Sequence, residues 1–288
     1  MKLGVLSVAF GENTYKELAQ KISRNQFDAV HLELNLVNDI DNRLGKLSTG
    51  VANSIAEEFE RTGIRIPVLG CYVNLIDVNL ENRKYHIGQL KETLRFARDF
   101  GASAVTTETG TANRYSPWEH HPDNQNEANW LLLKQMIEDV VEVAEKFGVS
   151  LGLEGYYNNV INTPERMERM LQEVPSPHLG IVMDPCNYIH AQLADQQQAV
   201  MKDAFVRLGD RILIAHAKDI IFKSPDTSEE HKVIQPAAGT GILDYVTYMR
   251  LIHTYKPHIK IYAEHLSEEQ MPNSIAYVRH AYEQAMKS

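Results

Sequence analysis

The chain has 288 residues, of which 43% are hydrophobic and 23% charged, with a formal net charge of −9. That composition belongs to a globular protein able to bury a large core, and the length leaves two ordinary domains or one large α/β barrel. The acidic balance, without any Lys/Arg cluster, argues against a nucleic-acid partner. Its two cysteines, Cys71 and Cys186, form no CxxC pair, which excludes a Cys-rich zinc module and fits a reducing cytoplasm.

"MKLGVLSVAF" combines a Lys with a short apolar run, but it reaches Gly11-Glu12 without a small-residue cleavage pattern. It reads as a first strand rather than a signal peptide. No apolar stretch approaches the ~18–20 residues of a membrane span, so a cytoplasmic protein is expected. "TYKELAQKIS" follows as a helix, with Thr14 and Glu17 spaced as a capping box. From there apolar runs alternate with amphipathic stretches. "AVHLEL" precedes "GVANSIAEEFERTG", "IPVLGCYV" precedes "HIGQLKETLRFARDFG", and "SAVTTETG" precedes "WLLLKQMIEDVVEVAEKFG". "SLGLEG", "LGIVMD", "ILIAHAKD" and "IKIYAEHL" continue the series, with "YVTYMRLIHTY" before the last. Thr163-Pro164 reads as an N-cap with Pro at the first helical position, and Gly63, Gly101 and Gly148 sit where helices should stop. Crossovers this short make the strands parallel. About eight β/α units in an undivided chain predict a closed (β/α)8 TIM barrel, residues 1–288 forming a single domain. An open doubly wound sheet would want a GxGxxG turn after its first strand, and "AFGENTY" has none.

Barrels of this kind build their sites at the C-terminal ends of the strands, so the polar residue closing each run matters most. Those residues are Glu33, Glu108, Glu154, Asp184, His216 with Lys218 and Asp219, and Glu264 with His265. Glu154, Asp184, His216 and Glu264 close four successive strands and can converge near the barrel axis. Three carboxylates and one imidazole suit Mn2+, Mg2+ or Co2+ and tolerate Zn2+. Without a cation, three converging carboxylates would repel one another in a desolvated cavity. Singly each has a plainer reading: Asp184 before Pro185 as a turn starter, His216 as a hydrogen-bonded core residue, Glu154 and Glu264 as rim charges. Their matched positions favour one shared divalent ion.

"LGLEGYY", "GIVMDPCN", "AHAKD", "AAGTGILDY" and "IYAEHL", in this order, resemble the xylose isomerase-like TIM barrels. That group contains ketose 3-epimerases, hydroxypyruvate isomerase, inosose dehydratase and endonuclease IV. The likeness is strongest from Glu154 to Glu264; the first half supports it by rhythm. In the epimerase branch the residues matching Glu154, Asp184, His216 and Glu264 bind one divalent metal. The resemblance thus implies that Glu154 and Glu264 are both ligands and the acid/base pair acting on opposite faces of the reacting carbon. The chemistry is consistent: a chelated hydroxyketone has a more acidic C–H, and the ion stabilises the enediolate left after proton removal. A glutamate that is both ligand and base needs a free oxygen. The epimerase and endonuclease branches carry histidine where this chain has Asn187, a poor metal ligand that can still donate to a substrate oxygen. Endonuclease IV also needs histidines at the ends of strands three and four. Those ends read Cys71-Tyr72-Val73-Asn74 and Thr107-Glu108-Thr109, while His120-His121 lies in a loop with turn chemistry.

The resulting expectation is a metal-dependent isomerase or epimerase of a hydroxyketone sugar or polyol. Asn187, Lys218 and Glu108 are expected to contact substrate, and Glu33 to line the pocket. Trp118, Tyr115, Tyr156 and Tyr157 are candidates for an apolar lid, with packing as their plain role. The "AAGTGILDY" turn lies near where barrels often bind phosphate, though it also reads as an ordinary turn. An inosose-type dehydratase using the same metal site is the alternative. An endonuclease IV-like phosphodiesterase or a silent sugar- or metal-binding barrel ranks behind both. The partners expected are a small sugar or polyol, not nucleic acid or a membrane, and the oligomeric state, a homo-oligomer among the alternatives, is left open.

Overall fold

The computed structural model describes residues 2–222 and 233–287. In chain order these form β1 (Lys2–Leu6), α1 (Tyr15–Arg24), β2 (Ala29–Glu33), α2 (Thr49–Arg61), β3 (Arg65–Gly70) and α3 (Leu80–Phe96). Next come β4 (Ala104–Glu108), α4 (Glu127–Phe147), β5 (Ser150–Glu154), α5 (Pro164–Glu173), β6 (Leu179–Met183) and α6 (Gln197–Leu208). The last elements are β7 (Ile212–Ala217), a short ribbon of β8 (Ile221–Phe222) and β9 (Val233–Ile234), α7 (Tyr245–Tyr255), β10 (Lys260–Ala263) and α8 (Met271–Lys287). Eight parallel strands close in the order β1-β10-β7-β6-β5-β4-β3-β2, while β8 and β9 pair antiparallel outside the barrel. The predicted (β/α)8 barrel is what the chain forms; the ribbon was not anticipated.

Local chemistry explains the helix ends. Thr14 and Glu17 make the reciprocal capping box, and Thr163 accepts from the Arg166 amide with Pro164 behind it. Such caps satisfy amides the helix leaves unpaired, each contributing about 1 kcal/mol. Gly148 ends α4 in the left-handed region at φ 63°, which a residue with a Cβ enters only at a cost. The apolar stripe of α4, from Trp130 through Leu133, Ile137 and Val140 to Ala144, is buried against the barrel.

Inside the barrel, strand alternation stacks the residues in layers. Leu6, Ala29, Val68, Val182, Ile214 and Tyr262 form an apolar cluster separate from the outer core. A Cβ on Gly4 would stand 2.6 Å from the Tyr262 ring, so only glycine leaves that ring its place. Two residues beyond Ala29, Val182, Ile214 and Tyr262 stand His31, Asp184, His216 and Glu264, all buried. The apolar layer is thus the floor of a polar one. A register skip between β6 and β7 sets Val182 level with Ile214 instead of Leu213, which brings Asp184 and His216 to the same height. The Tyr248 hydroxyl of α7 lies 2.9 Å from the His216 carbonyl and 3.1 Å from that of Met183, tying these two strand ends together.

Candidate metal centre

Glu154, Asp184, His216 and Glu264 each turn one ligand atom to a common point, and these atoms all lie within 4.8 Å of one another. His216 Nδ1 is 3.3 Å from Glu154, 3.4 Å from Glu264 and 3.9 Å from Asp184. Asp184 is both turn starter and site residue. Its Oδ1 accepts the Cys186 amide at 3.0 Å, while Oδ2 faces the Lys218 ammonium at 2.8 Å. Glu264 meets the same ammonium at 2.6 Å. Glu154 is held on both oxygens, by the Asn187 amide at 2.8 Å and the Tyr72 hydroxyl at 2.9 Å.

This donor set fits one divalent cation. His216 Nδ1 is buried without a hydrogen-bond partner, and Asp184 Oδ2 and Glu264 Oε1 share the single Lys218 ammonium, an expensive arrangement for three carboxylates unless a further positive charge shares the space. Lys218 balances one of the three carboxylate charges, and a single divalent ion beside a neutral imidazole balances the other two. Among the described residues no other group of three or more His, Cys, Asp or Glu side chains gathers this way. His120 is exposed, and His121 pairs with Asp123 at 3.7 Å, so neither extends the cluster.

The electrostatics follow from burial and crowding. Burial would depress the His216 imidazolium, but the Glu154 and Glu264 carboxylates outweigh it and raise its pKa to about 9. Burial raises Asp184 to about 6, against the pull of Lys218. At Glu264 and Glu154 burial acts upward too, yet Lys218 and His216 at the first, and His216 at the second, bring both below the ordinary glutamate value.

Above these residues opens a cavity of about 430 Å3, large enough for a small sugar. Glu33, Glu108, Glu154, Asn187, Lys218 and Glu264 line it, as do Trp118 and Tyr156 of the aromatic candidates. Tyr115, 87% exposed, and Tyr157 lie outside it. Burial, with Glu264 and Glu154 adding, raises Glu33 to about 7, and burial with Glu154 raises Glu108 well above the usual range. Asn187 has its carbonyl taken by Gln235 at 2.9 Å, so the amide in the place of the usual histidine orients Glu154. The glycine-rich turn is occupied from within. Asp219 accepts the Ile220, Gly239 and Leu243 amides at 2.9, 3.0 and 2.9 Å, using N–H groups a phosphate would need.

Three residues escaped the sequence reading: Tyr72, Gln235 and His31. His31 interrupts the apolar run "AVHLEL" two places before Glu33, and that single polar residue on the inward-facing side of a strand is its only mark in the sequence. It is fully buried beside the cluster and touches His216. His265, next to Glu264, adopts a left-handed φ of 53° and binds the Gln235 carbonyl at 2.7 Å. Left-handed backbone in a non-glycine residue gathers at functional sites.

Residues 19–284 match the family model described as xylose isomerase-like TIM barrel. An uncharacterized protein of Methanocaldococcus jannaschii is 25% identical over 226 residues, 76% of this chain and 71% of that one. A D-tagatose 3-epimerase-like protein superposes with a TM-score of 0.75 at 18% identity, covering 100% of this chain and 99% of that one. The IolI protein, solved with a bound zinc atom, superposes at 0.67 and 17% identity, covering 100% and 96%. At such identities the structural likeness is one of fold. The family match spans nearly all the barrel and both halves of the four-residue cluster, and the chain belongs to the xylose isomerase-like TIM barrel family.

Proposed function

We propose that the chain is a divalent-metal-dependent isomerase or epimerase of a hydroxyketone sugar or polyol, residues 1–288 acting as one catalytic domain. The observation that carries this reading is a pair of buried glutamates facing one imidazole nitrogen, at 3.3 and 3.4 Å, on the floor of a sugar-sized cavity. Glu154, Asp184, His216 and Glu264 hold the ion. Bound there, it supplies the Lewis acidity that makes a C–H beside a carbonyl more acidic.

The remaining work falls to side chains. Tyr72 and Asn187 fix the plane of Glu154 before substrate arrives, and Lys218 fixes Glu264. One glutamate accepts the proton from carbon. For epimerisation a proton reaches the opposite face through the other glutamate, drawn from the donor that glutamate holds, the Lys218 ammonium on Glu264 or the Tyr72 hydroxyl on Glu154. For isomerisation the first glutamate returns its proton to the neighbouring carbon while the hydroxyl proton passes to the former carbonyl oxygen. Lys218, Asn187 and Glu108 contact the substrate oxygens. With Mn2+ in D2O, ketohexoses are expected to gain deuterium at the reacting carbon. Glu154→Gln and Glu264→Gln each slow that exchange by about 10²–10⁴-fold. Absence of deuterium wash-in across ketoses and inososes would overturn the reading.

A second reading, dehydration, is favoured by Lys218, an ammonium lining the cavity 2.6 Å from Glu264. There a glutamate takes the C–H proton, the C–O bond on the adjacent carbon breaks, and hydroxide leaves as water with the Lys218 proton. Mass spectrometry of the same incubations separates the two, since epimers keep the substrate mass and a dehydrated product has lost one water.

A further inference from the structure

We infer that His31 is a positioning residue that dictates which nitrogen of His216 faces the metal site. His31 is fully buried on β2, in the polar layer that also holds Asp184, His216 and Glu264. Its Nδ1 lies 3.3 Å from His216 Nε2, and its Nε2 lies 2.8 Å from Thr106 Oγ1. His216 Nδ1 points the other way, at Glu154 and Glu264.

The direction of these bonds is forced. A His216 that offers the Nδ1 lone pair to a cation carries its proton on Nε2, and that proton has one acceptor in reach, His31 Nδ1. His31 must then be protonated on Nε2, which donates to Thr106. The Thr106 hydroxyl passes the donation on, to the Leu69 carbonyl at 3.5 Å or the Tyr72 hydroxyl at 3.4 Å. Tyr72 donates to Glu154 Oε2 at 2.9 Å, so the circuit that begins on one proposed ligand ends on another. Reversing any member would set two donors or two lone pairs face to face in a dry interior, where neither has water to turn to. A histidine ligand held through its second nitrogen is the usual means of fixing ring orientation and raising ligand basicity. The unusual feature here is that the holder is itself an imidazole, borne on a strand that supplies no ligand.

The inference rests on the proposed metal site, and the experiment separates the two. Mn2+ affinity is measured by calorimetry for the wild type, His31→Leu and His31→Asn. Leu removes both ring nitrogens; the Asn side-chain oxygen can stand where Nδ1 stands and accept from His216. His31→Leu is expected to weaken Mn2+ binding about 10–100-fold, and His31→Asn to stay within about threefold of wild type. A Leu variant that binds as tightly as wild type, or an Asn variant that loses as much as Leu, overturns the role. Should the variants fail to fold, ¹⁵N NMR of the zinc-loaded wild type decides it: the His216 proton is expected on Nε2, and a proton on Nδ1 refutes the inference. A wild type that takes up neither Mn2+ nor Zn2+ brings down the proposed function along with it. Ordinary wild-type binding with an unaffected Leu variant sinks the His31 role alone.

Discussion

At Asp184 the two carboxylate oxygens do different jobs, Oδ1 closing the turn through the Cys186 amide and Oδ2 meeting Lys218 inside the site. The position is readable from the strand ending on Asp-Pro; the division of labour between its oxygens is not. His216 supplies the pH dependence at this scale. Its folded pKa of about 9 stands above the ordinary 6.5 because Glu154 and Glu264 outweigh the burial penalty. A raised folded pKa stabilises the metal-free fold fully below the unfolded value, and this contribution fades as pH rises through about 9. A cation on Nδ1 must displace that proton, so Mn2+ affinity should strengthen about tenfold per pH unit from roughly 7 to 9 and then level off. Calorimetry in two buffers of different ionisation enthalpy reads the released proton. A flat affinity across that range would contradict the assignment.

At the scale of elements, alternation within each run was legible: "GLE", "VMD" and "YAE" each put a polar end two residues past a small or apolar one, while "HLE" and "TTE" put one two residues past another polar residue. Helix boundaries were legible wherever a cap marks them, as at Thr14 and Thr163. The β6–β7 skip was not, because a bulge is a relation between two strands and leaves no mark in either one alone. The glycine-rich turn before α7 shows the same limit. Its meaning comes from Asp219, whose buried carboxylate accepts three backbone amides. Asp219→Ala strands those amides, and the expected loss is roughly 2–5 kcal/mol of unfolding free energy. Urea denaturation at fixed metal concentration checks it; an unchanged midpoint would mean the turn holds itself.

For the whole molecule, barrel closure is what gathers side chains more than a hundred residues apart. Glu154 and Glu264 lie on β5 and just beyond β10, yet both reach His216 Nδ1. Three carboxylates held this close store repulsion that Lys218 only partly offsets, so a bound ion should stabilise the fold as well as complete the site. At Mn2+ about 100-fold above its dissociation constant the gain is about 2.7 kcal/mol, which for a chain of this size is a rise of roughly 4–5 °C in melting midpoint. Asp184→Asn should largely abolish the rise in differential scanning fluorimetry. An equal shift in that variant would place the ion elsewhere.

The sequence by itself determined the strand–helix rhythm, and with it the barrel and the four residues at its rim. Period, capping and turn chemistry act between near neighbours, and near neighbours are what a sequence displays. The tertiary structure decided the rest: the level at which β7 meets β6, the oxygens that Tyr72, Asn187 and Lys218 occupy, and the pairing of His31 with His216. Each depends on distances across the barrel, where a shift of one residue or one ångström makes or breaks a hydrogen bond, and no spacing along the chain encodes such a distance.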